Sequence, residues 1–406
     1  MTPSKKLRAL LLEGIHPGAR TILAAEGIEV TALDKSPPKA ELPELVKGYD
    51  LVGIRSKTQM TKAVLESAGD LLTIGCFCIG TNQVDLVSAN AHGVPVFNAP
   101  LSNTRSVAEL VIAEIVMLAR QLGDRLQEVH TGRWMKKAVG CHEIRGKTLG
   151  IVGYGHIGSQ VGVLAESMGM RVVFYDVVTK LPMGNNRPMQ TLEELLSQSD
   201  FVTLHVPETP QTKNMIGASE LAAMKPGSHL MNLSRGTVVV IDQLASAIRS
   251  GHLAGAAIDV YPEEPEGNGE GFESDLRGLP NVILTPHIGG STEEAQEAIG
   301  REVATSLARF LTRGTTTGAV NFPPVDQPLA AGKHRILNVH RNVPGVLGDI
   351  NHIVSESKAN IFAQVLATDR AVGYLVMDLD QEVSAEVTER IAALPTSIRT
   401  RMLEER

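Results

Sequence analysis

Along the first 290 residues, short unbroken apolar runs alternate with stretches whose apolar positions recur every three or four residues. Up to Pro100 the runs are LRALLLEG, DLVGIRS, LLTIGCF and VPVFNAP, separated by ARTILAAEG, TKAVLESAG and NQVDLVSANA. A strand that is apolar at every position is buried on both faces, which is the condition of a parallel sheet covered by helices. From Ser102 to about Gly123, apolar residues at Val107, Leu110, Val111, Ile115, Leu118 and Leu122 predict one helix long enough to link two domains. A second alternating series then runs through GKTLGIVGYGHIG, RVVFYDV, DFVTLHVP, GSHLMNLSRG, AGAAIDVYP and NVILTPHIGG, predicting five or six strands with crossover helices. Thr191 with Glu194, and Ser291 with Glu294, have capping-box spacing where helices should begin.

After Ser291 a helix is expected to about Thr312. The stretch from Asn321 to Gly332, with Pro323, Pro324 and Pro328, then reads as a linker. The remainder gives a strand (HRILNVHR), a helix (PGVLGDINHIVSESK), two strands (NIFAQVLAT, AVGYLVMDL), a helix (VSAEVTERIAAL) and a strand (TSIRTRML). That β-α-β-β-α-β order is ferredoxin-like, a small open-faced sheet.

A length of 406 residues fits two or three domains, and 43% hydrophobic residues against 20% charged is ample for folded cores. Net charge is −7 with no run of Lys or Arg to neutralise phosphates in a row, which argues against nucleic acid as a partner. Cys76, Cys78 and Cys141 form no C-x-x-C pair, so neither a disulfide framework nor a metal site is expected, and a reducing, cytoplasmic location fits. Arg8 interrupts the N-terminal apolar run, no small-residue cleavage site follows, and no stretch is apolar enough to span a membrane.

The strongest local motif is Gly153-Tyr-Gly155-His156-Ile157-Gly158, between an apolar strand and a helical stretch. Three glycines alone are weak evidence. Here Gly153 suits the tight turn, Gly155 the approach of backbone to a pyrophosphate and Gly158 close helix packing, while the helix N-terminus offers free N–H groups. Asp176 closes the next strand, where a carboxylate accepts from ribose hydroxyls and repels a 2′-phosphate, so NAD is favoured over NADP. The bland alternative is a glycine-rich turn with no ligand. His205, in TLHVPETP, and Asp259, in AAIDVYP, are further candidates for the cofactor cleft, although a structural role suits His205 equally.

Arg235, Glu264 and His287 each follow an apolar strand, and open α/β sheets bind ligands at the carboxyl ends of their strands. Oxidising a secondary alcohol needs a group that takes the hydroxyl proton and another that fixes a carboxylate. Histidine oriented by a carboxylate serves the first need, and the planar fork of arginine the second. Singly, each residue reads as readily as an ion pair, a loop charge or a turn histidine. Spacing alone leaves Glu263 as a rival to Glu264.

GYGHIG, LHVPETPQTKNMIG, MNLSRGTVV, AAIDVYPEEP and LTPHIGGSTEEAQ together resemble the D-isomer-specific 2-hydroxyacid dehydrogenase family. With RSKTQMT near the start and the terminal β-α-β-β-α-β unit, the resemblance is to members that carry one ACT domain, and it runs nearly end to end. It implies an α/β fold of two doubly wound parallel-sheet domains, Rossmann-like and flavodoxin-like, plus the ferredoxin-like ACT domain. The implied limits are 1–102 with 290–327 for the substrate-binding domain, 103–289 for the NAD-binding domain and 334–406 for the ACT domain, with a cleft that closes between the first two.

The same resemblance implies Arg235 as carboxylate binder, Glu264 rather than Glu263 as partner of the base, and His287 as acid/base. It further implies NAD-dependent oxidation of 3-phospho-D-glycerate, 2-oxoglutarate reduction as a side activity, and Arg55, Ser56 and Lys57 facing the substrate phosphate. Asn103 and the loop Cys78–Asn82 would line the substrate. His340, Asn342 and Asn360 would bind L-serine as effector, although the single Gly332 stands where relatives have a glycine pair, so the hinge is expected to be stiffer. Trp134 would lie at a subunit contact of a homotetramer. Two rivals remain: a dehydrogenase for an unphosphorylated D-2-hydroxy acid, which the basic RSK loop disfavours, and a non-catalytic NAD-sensing protein, which the ACT unit disfavours.

Overall fold

The computed structural model describes residues 6–265 and 269–403. The outer ends of the expected first and last domains, 1–5 and 404–406, lie outside it. Two compact units emerge: Met1–Ser102 with Gln296–Arg406, and Asn103–Ala295.

The first unit opens with a parallel sheet of β1 (Arg8–Leu11), β2 (Glu29–Ala32), β3 (Leu51–Ile54), β4 (Thr73–Cys76) and β5 (Val96–Phe97). Its order, β2-β1-β3-β4-β5, is that of flavodoxin-like sheets. β3 and β4 are buried at every position, as their unbroken apolar runs require. Helices α1 (Pro17–Ala25), α2 (Leu42–Leu45), α3 (Lys62–Ser67) and α4 (Leu86–Ala91) fill the crossovers. α1 begins with proline in its first turn, where the missing N–H costs nothing, and α4 is capped by Asp85, which accepts from Ser88 N at 2.9 Å.

The second unit begins with α5 (Thr104–Ala119) and α6 (Leu122–His130). The single helix expected to Gly123 therefore breaks, at Gln121, whose φ is +51°. The last carbonyls of α5 are taken from outside the helix, Leu118 O by Asn281 Nδ2 at 3.2 Å and Ala119 O by His142 N at 2.8 Å, so the ladder stops there. Then come β6 (Thr148–Val152), α7 (His156–Ser167), β7 (Arg171–Tyr175), β8 (Arg187–Pro188), α8 (Leu192–Gln198), β9 (Phe201–Leu204), α9 (Ala218–Ala223), β10 (His229–Asn232), α10 (Ile241–Arg249), β11 (Gly255–Ile258) and β12 (Val282–Leu284). They form a parallel sheet in the order β12-β11-β10-β9-β6-β7-β8, seven strands where five or six were expected because of the two-residue edge strand β8. The order reverses beside β6, which creates a ligand-binding crevice at its carboxyl end. At α8, Thr191 Oγ1 caps Glu194 N at 3.1 Å as expected, but the Glu194 carboxylate accepts from Gln190 N rather than Thr191 N.

Helix α11 (Glu293–Arg313) follows, capped by Thr292, whose hydroxyl accepts from Ala295 N at 3.2 Å; the expected cap, Ser291, lies one residue too early. The C-terminal part of the first unit is an antiparallel sheet in the order β14-β15-β13-β16, built from β13 (His334–Arg341), β14 (Ile361–Thr368), β15 (Val372–Leu379) and β16 (Ser397–Leu403), with α12 (Val346–Glu356) and α13 (Gln381–Ala392). This is the β-α-β-β-α-β order, yet the sheet is not open-faced. Ile336, Leu375 and Met377 pack with α12 and α13, whereas Leu337, Val339, Tyr374 and Val376 join Phe97, Phe310 and Phe322 in the core beneath the first sheet.

Nor is the proline-rich stretch a loose linker. Asn321 Oδ1 accepts from Val96 N at 2.8 Å, and the carbonyls of Gln327 and Pro328 accept from the Arg335 guanidinium at 2.8 and 2.6 Å. Arg335, 1% exposed, also pairs with buried Asp378 at 2.7 Å and donates to Arg313 O, so each of its guanidinium nitrogens has a partner.

Candidate active site

β6 leads directly into the glycine motif. Gly153 has φ +92°, and any side chain there would collide with the carbonyl of His205; one on Gly158 would collide with the carbonyl of Gly153. These two glycines are thus demanded by packing within the sheet and its helix. Gly155 differs, because a Cβ there meets nothing within 4 Å. It occupies the cap position of α7 with no side-chain cap. The first-turn N–H groups of His156, Ile157 and Gly158 precede the first helical hydrogen bond, from Ser159 N to Gly155 O at 3.0 Å, and are left for a ligand. Asp176, just past β7, is fixed by accepting from Tyr154 N and Val178 N at 2.9 Å each. His205 follows β9; burial drives its pKa down to about 3, and Nε2 lies 3.0 Å from Thr203 Oγ1, so it is a neutral, packed imidazole.

Three neighbouring strands then deliver the polar groups. After β10, Asn232 Nδ2 donates to Arg235 O at 2.9 Å, while its Oδ1 accepts from Ser234 N at 3.1 Å, a short turn that exposes part of the Arg235 side chain. Gly236 packs so tightly against the backbone of Tyr261 that no side chain fits there. This close approach brings the Arg235 turn to the end of β11. There Glu264 Oε1 accepts from Tyr261 N at 3.2 Å, and Oε2 lies 2.9 Å from His287 Nδ1. It is Glu264 that reaches the imidazole.

His287 itself is held in a left-handed backbone conformation, φ +55°. Asp259 fixes the segment around it: Oδ1 accepts from Thr285 Oγ1 at 2.6 Å and Ile288 N at 2.8 Å, and Oδ2 from Gly289 N at 2.8 Å. Asp259 is 1% exposed, so in this structure its carboxylate serves the His287 loop.

The electrostatics match this geometry. The hydrogen bond to Glu264 raises the His287 pKa against the opposing effect of burial, with added help from the charges of Glu264 and Asp259, while Arg235 pulls the other way. For Glu264, burial favours the neutral acid, but the hydrogen bond and charge of His287, then Tyr261 N and Arg235, outweigh it and lower the pKa. Arg235, Glu264 and His287 are thus within mutual electrostatic reach.

Within electrostatic reach of Asp259 and Tyr261 lies Glu114 of α5, which sequence reasoning missed. It is fully buried, neither carboxyl oxygen has a hydrogen-bond partner, and burial, then the charge of Asp259, push its pKa up to about 8, which favours the neutral acid. The signal was available, since position 114 falls on the Val111–Leu118 stripe. Gly236 and the Asp259 clamp had no comparable signature.

Asn103, just before α5, is partly buried, with Oδ1 unpartnered. In the first unit, Arg55, Ser56 and Lys57 follow β3, with Ser56 and Lys57 exposed. Of the three ACT candidates, Asn342 and Asn360 are exposed, whereas His340 is 3% exposed, its Nδ1 lying 2.9 Å from Asn338 Oδ1. Trp134 is 81% exposed. Among the described residues no three His, Cys, Asp or Glu side chains are grouped to hold a metal, and no helix is long and apolar enough to cross a membrane.

Residues 112–289 match the D-isomer specific 2-hydroxyacid dehydrogenase NAD binding domain, and residues 336–399 match an AHAS small subunit-like ACT domain. The chain is 54% identical to D-3-phosphoglycerate dehydrogenase of Dictyostelium discoideum over 99% of its own length and 98% of that protein. It is 51% identical to D-3-phosphoglycerate dehydrogenase of Escherichia coli K12 over 98% of each. Among solved structures, the TT0316 protein from Thermus thermophilus superposes with a TM-score of 0.68 at 32% identity, covering 79% of this chain and all of that one. A dinucleotide cradle, a carboxylate-paired histidine at a strand end, an ACT sheet and full-length likeness agree: the chain belongs to the D-3-phosphoglycerate dehydrogenases of the D-isomer-specific 2-hydroxyacid dehydrogenase family.

Proposed function

We propose that the chain oxidises 3-phospho-D-glycerate at C2 to 3-phosphooxypyruvate with NAD, the first step of phosphorylated L-serine synthesis. The observation that carries this reading is the His287–Glu264 pair, 2.9 Å apart, within the field of Arg235 and in the same unit as the glycine cradle. The open space at Gly155 and the uncapped first turn of α7 suit a pyrophosphate, and Asp176 suits the ribose hydroxyls. When bound, NAD supplies the two-electron acceptor for the C2 hydrogen. His287 takes the C2 hydroxyl proton on Nε2, because Nδ1 faces Glu264, and Glu264 stabilises the imidazolium formed. Arg235 holds the substrate carboxylate, and Asp259 keeps the His287 loop in place. Arg55, Ser56 and Lys57 meet the phosphate, with Asn103 and the Cys78–Asn82 loop as further substrate contacts; 2-oxoglutarate, with a second carboxylate in place of the phosphate, is a slower substrate.

On this reading L-serine binds the ACT sheet through His340, Asn342 and Asn360, and inhibits. The chain is read as a cytoplasmic homotetramer; exposed Trp134 and the partly exposed edge strand β14, with Phe362 52% exposed, favour subunit contacts. His287→Ala and Arg235→Ala should each lower kcat/KM for 3-phosphoglycerate at least ~100-fold, with NAD binding, measured by fluorescence quenching, retained. Near-normal turnover of either variant refutes the assignment.

A further inference from the structure

At the end of β1 the chain passes through two consecutive left-handed residues, Glu13 at φ +65° and Gly14 at φ +61°. Glycine adopts this conformation freely; a glutamate is strained there and stays only if its surroundings fix it. What fixes Glu13 is its own carboxylate. Oε1 accepts from Arg55 N at 3.1 Å and Thr58 N at 2.9 Å, and Oε2 from Lys57 N at 3.0 Å. The side chain is buried, and these contacts span more than 40 positions of sequence.

Several backbone N–H groups converging on one anion is the arrangement by which loops bind phosphate. Here the anion is internal. The loop therefore turns these N–H groups inward and leaves the Lys57 side chain exposed, while Arg55, partly exposed, also donates through Nη1 to Glu13 O at 3.5 Å. From the other side, Gln83 Nε2 donates to Arg55 O at 2.7 Å and to Gly80 O at 3.2 Å, tying the same loop to the Cys78–Asn82 segment.

We propose that Glu13 is a positioning residue for phosphate recognition: its carboxylate sets the backbone of residues 55–58 so that Arg55 and Lys57 are presented to the substrate phosphate in one fixed arrangement. The proposal rests on the reading that this loop meets the phosphate. Without the clasp, the cations remain but their geometry must be ordered at binding, which weakens affinity for the phosphorylated substrate and leaves the chemistry at C2 untouched.

The test compares reduction of 3-phosphooxypyruvate with reduction of hydroxypyruvate, which lacks the phosphate, in Glu13→Gln, Glu13→Asp and Lys57→Ala. Glu13→Gln places an amide NH2 against N–H donors; Glu13→Asp keeps the charge but falls one methylene short. The KM for 3-phosphooxypyruvate should rise about tenfold or more in Glu13→Gln and less in Glu13→Asp, with kcat within about twofold and hydroxypyruvate kinetics unchanged. Lys57→Ala should show the same selective loss. An unchanged KM in folded Glu13→Gln, an equal loss on both substrates, or failure of both Glu13 variants to fold overturns the positioning role. Absence of a selective loss in Lys57→Ala overturns instead the phosphate reading beneath it.

Discussion

His287 owes its raised basicity chiefly to Glu264, with the charge of Asp259 adding to it. Its pKa is raised first by the Glu264 hydrogen bond, which burial opposes, and oxidation needs the imidazole neutral. The rate should therefore climb with pH as His287 loses its proton, at a pH above that of an ordinary histidine. Glu264→Gln removes the main raising influence, so the rising limb of kcat/KM should move to lower pH while the plateau falls by about tenfold or more. A pH profile in which the limb stays in place would show that Glu264 does not tune the base. At this scale Arg235 and His287 were legible as candidates because each follows shortly after an apolar run, and strand ends face the crevice, whereas Glu264 was separated from Glu263 only by the family resemblance. Glu13 and Asp259 were not read in the same way: both act by accepting backbone N–H groups, Glu13 across more than 40 positions and Asp259 across about 30, and such contacts leave no periodicity in a sequence.

Among the elements, the inner strands of both parallel sheets followed from runs of consecutive apolar residues, whereas the edge strands β2 and β8, which are not buried along their length, lay outside those runs. Helix ends were less legible. The break at Gln121 depends on Asn281 and His142 claiming the last carbonyls of α5, and the shift of the α11 cap from Ser291 to Thr292 is a single residue that both hydroxyls fit by type. The three glycines before and within α7 share a motif but not a role. Gly153 and Gly158 are required by the fold, whereas the space beside Gly155 is open. Gly155→Ala should thus fold with a melting temperature within about 2 °C of the parent, as a surface change does, yet bind NAD at least about tenfold more weakly by titration calorimetry. Unaltered NAD affinity would place the pyrophosphate elsewhere.

For the whole molecule, the three-sheet organisation could be read from element order, and the buried character of β15 was written in its continuous run VGYLVMDL, which an open-faced sheet does not need. Proline content suggested a free linker where Asn321, Gln327 and Pro328 are instead pinned, because composition reports backbone stiffness and says nothing of the Arg335 guanidinium that collects their carbonyls. Together the dinucleotide cradle, the imidazole–carboxylate pair and the basic loop after β3 amount to one claim: this chain oxidises a phosphorylated D-2-hydroxy acid. The most direct measurement is NADH formation, followed by absorbance, from NAD with 3-phospho-D-glycerate and, separately, with D-glycerate. Turnover of the phosphorylated acid with kcat/KM at least ~100-fold above that for D-glycerate is the predicted result. Equal rates for the two acids, or no NADH from either, would contradict it.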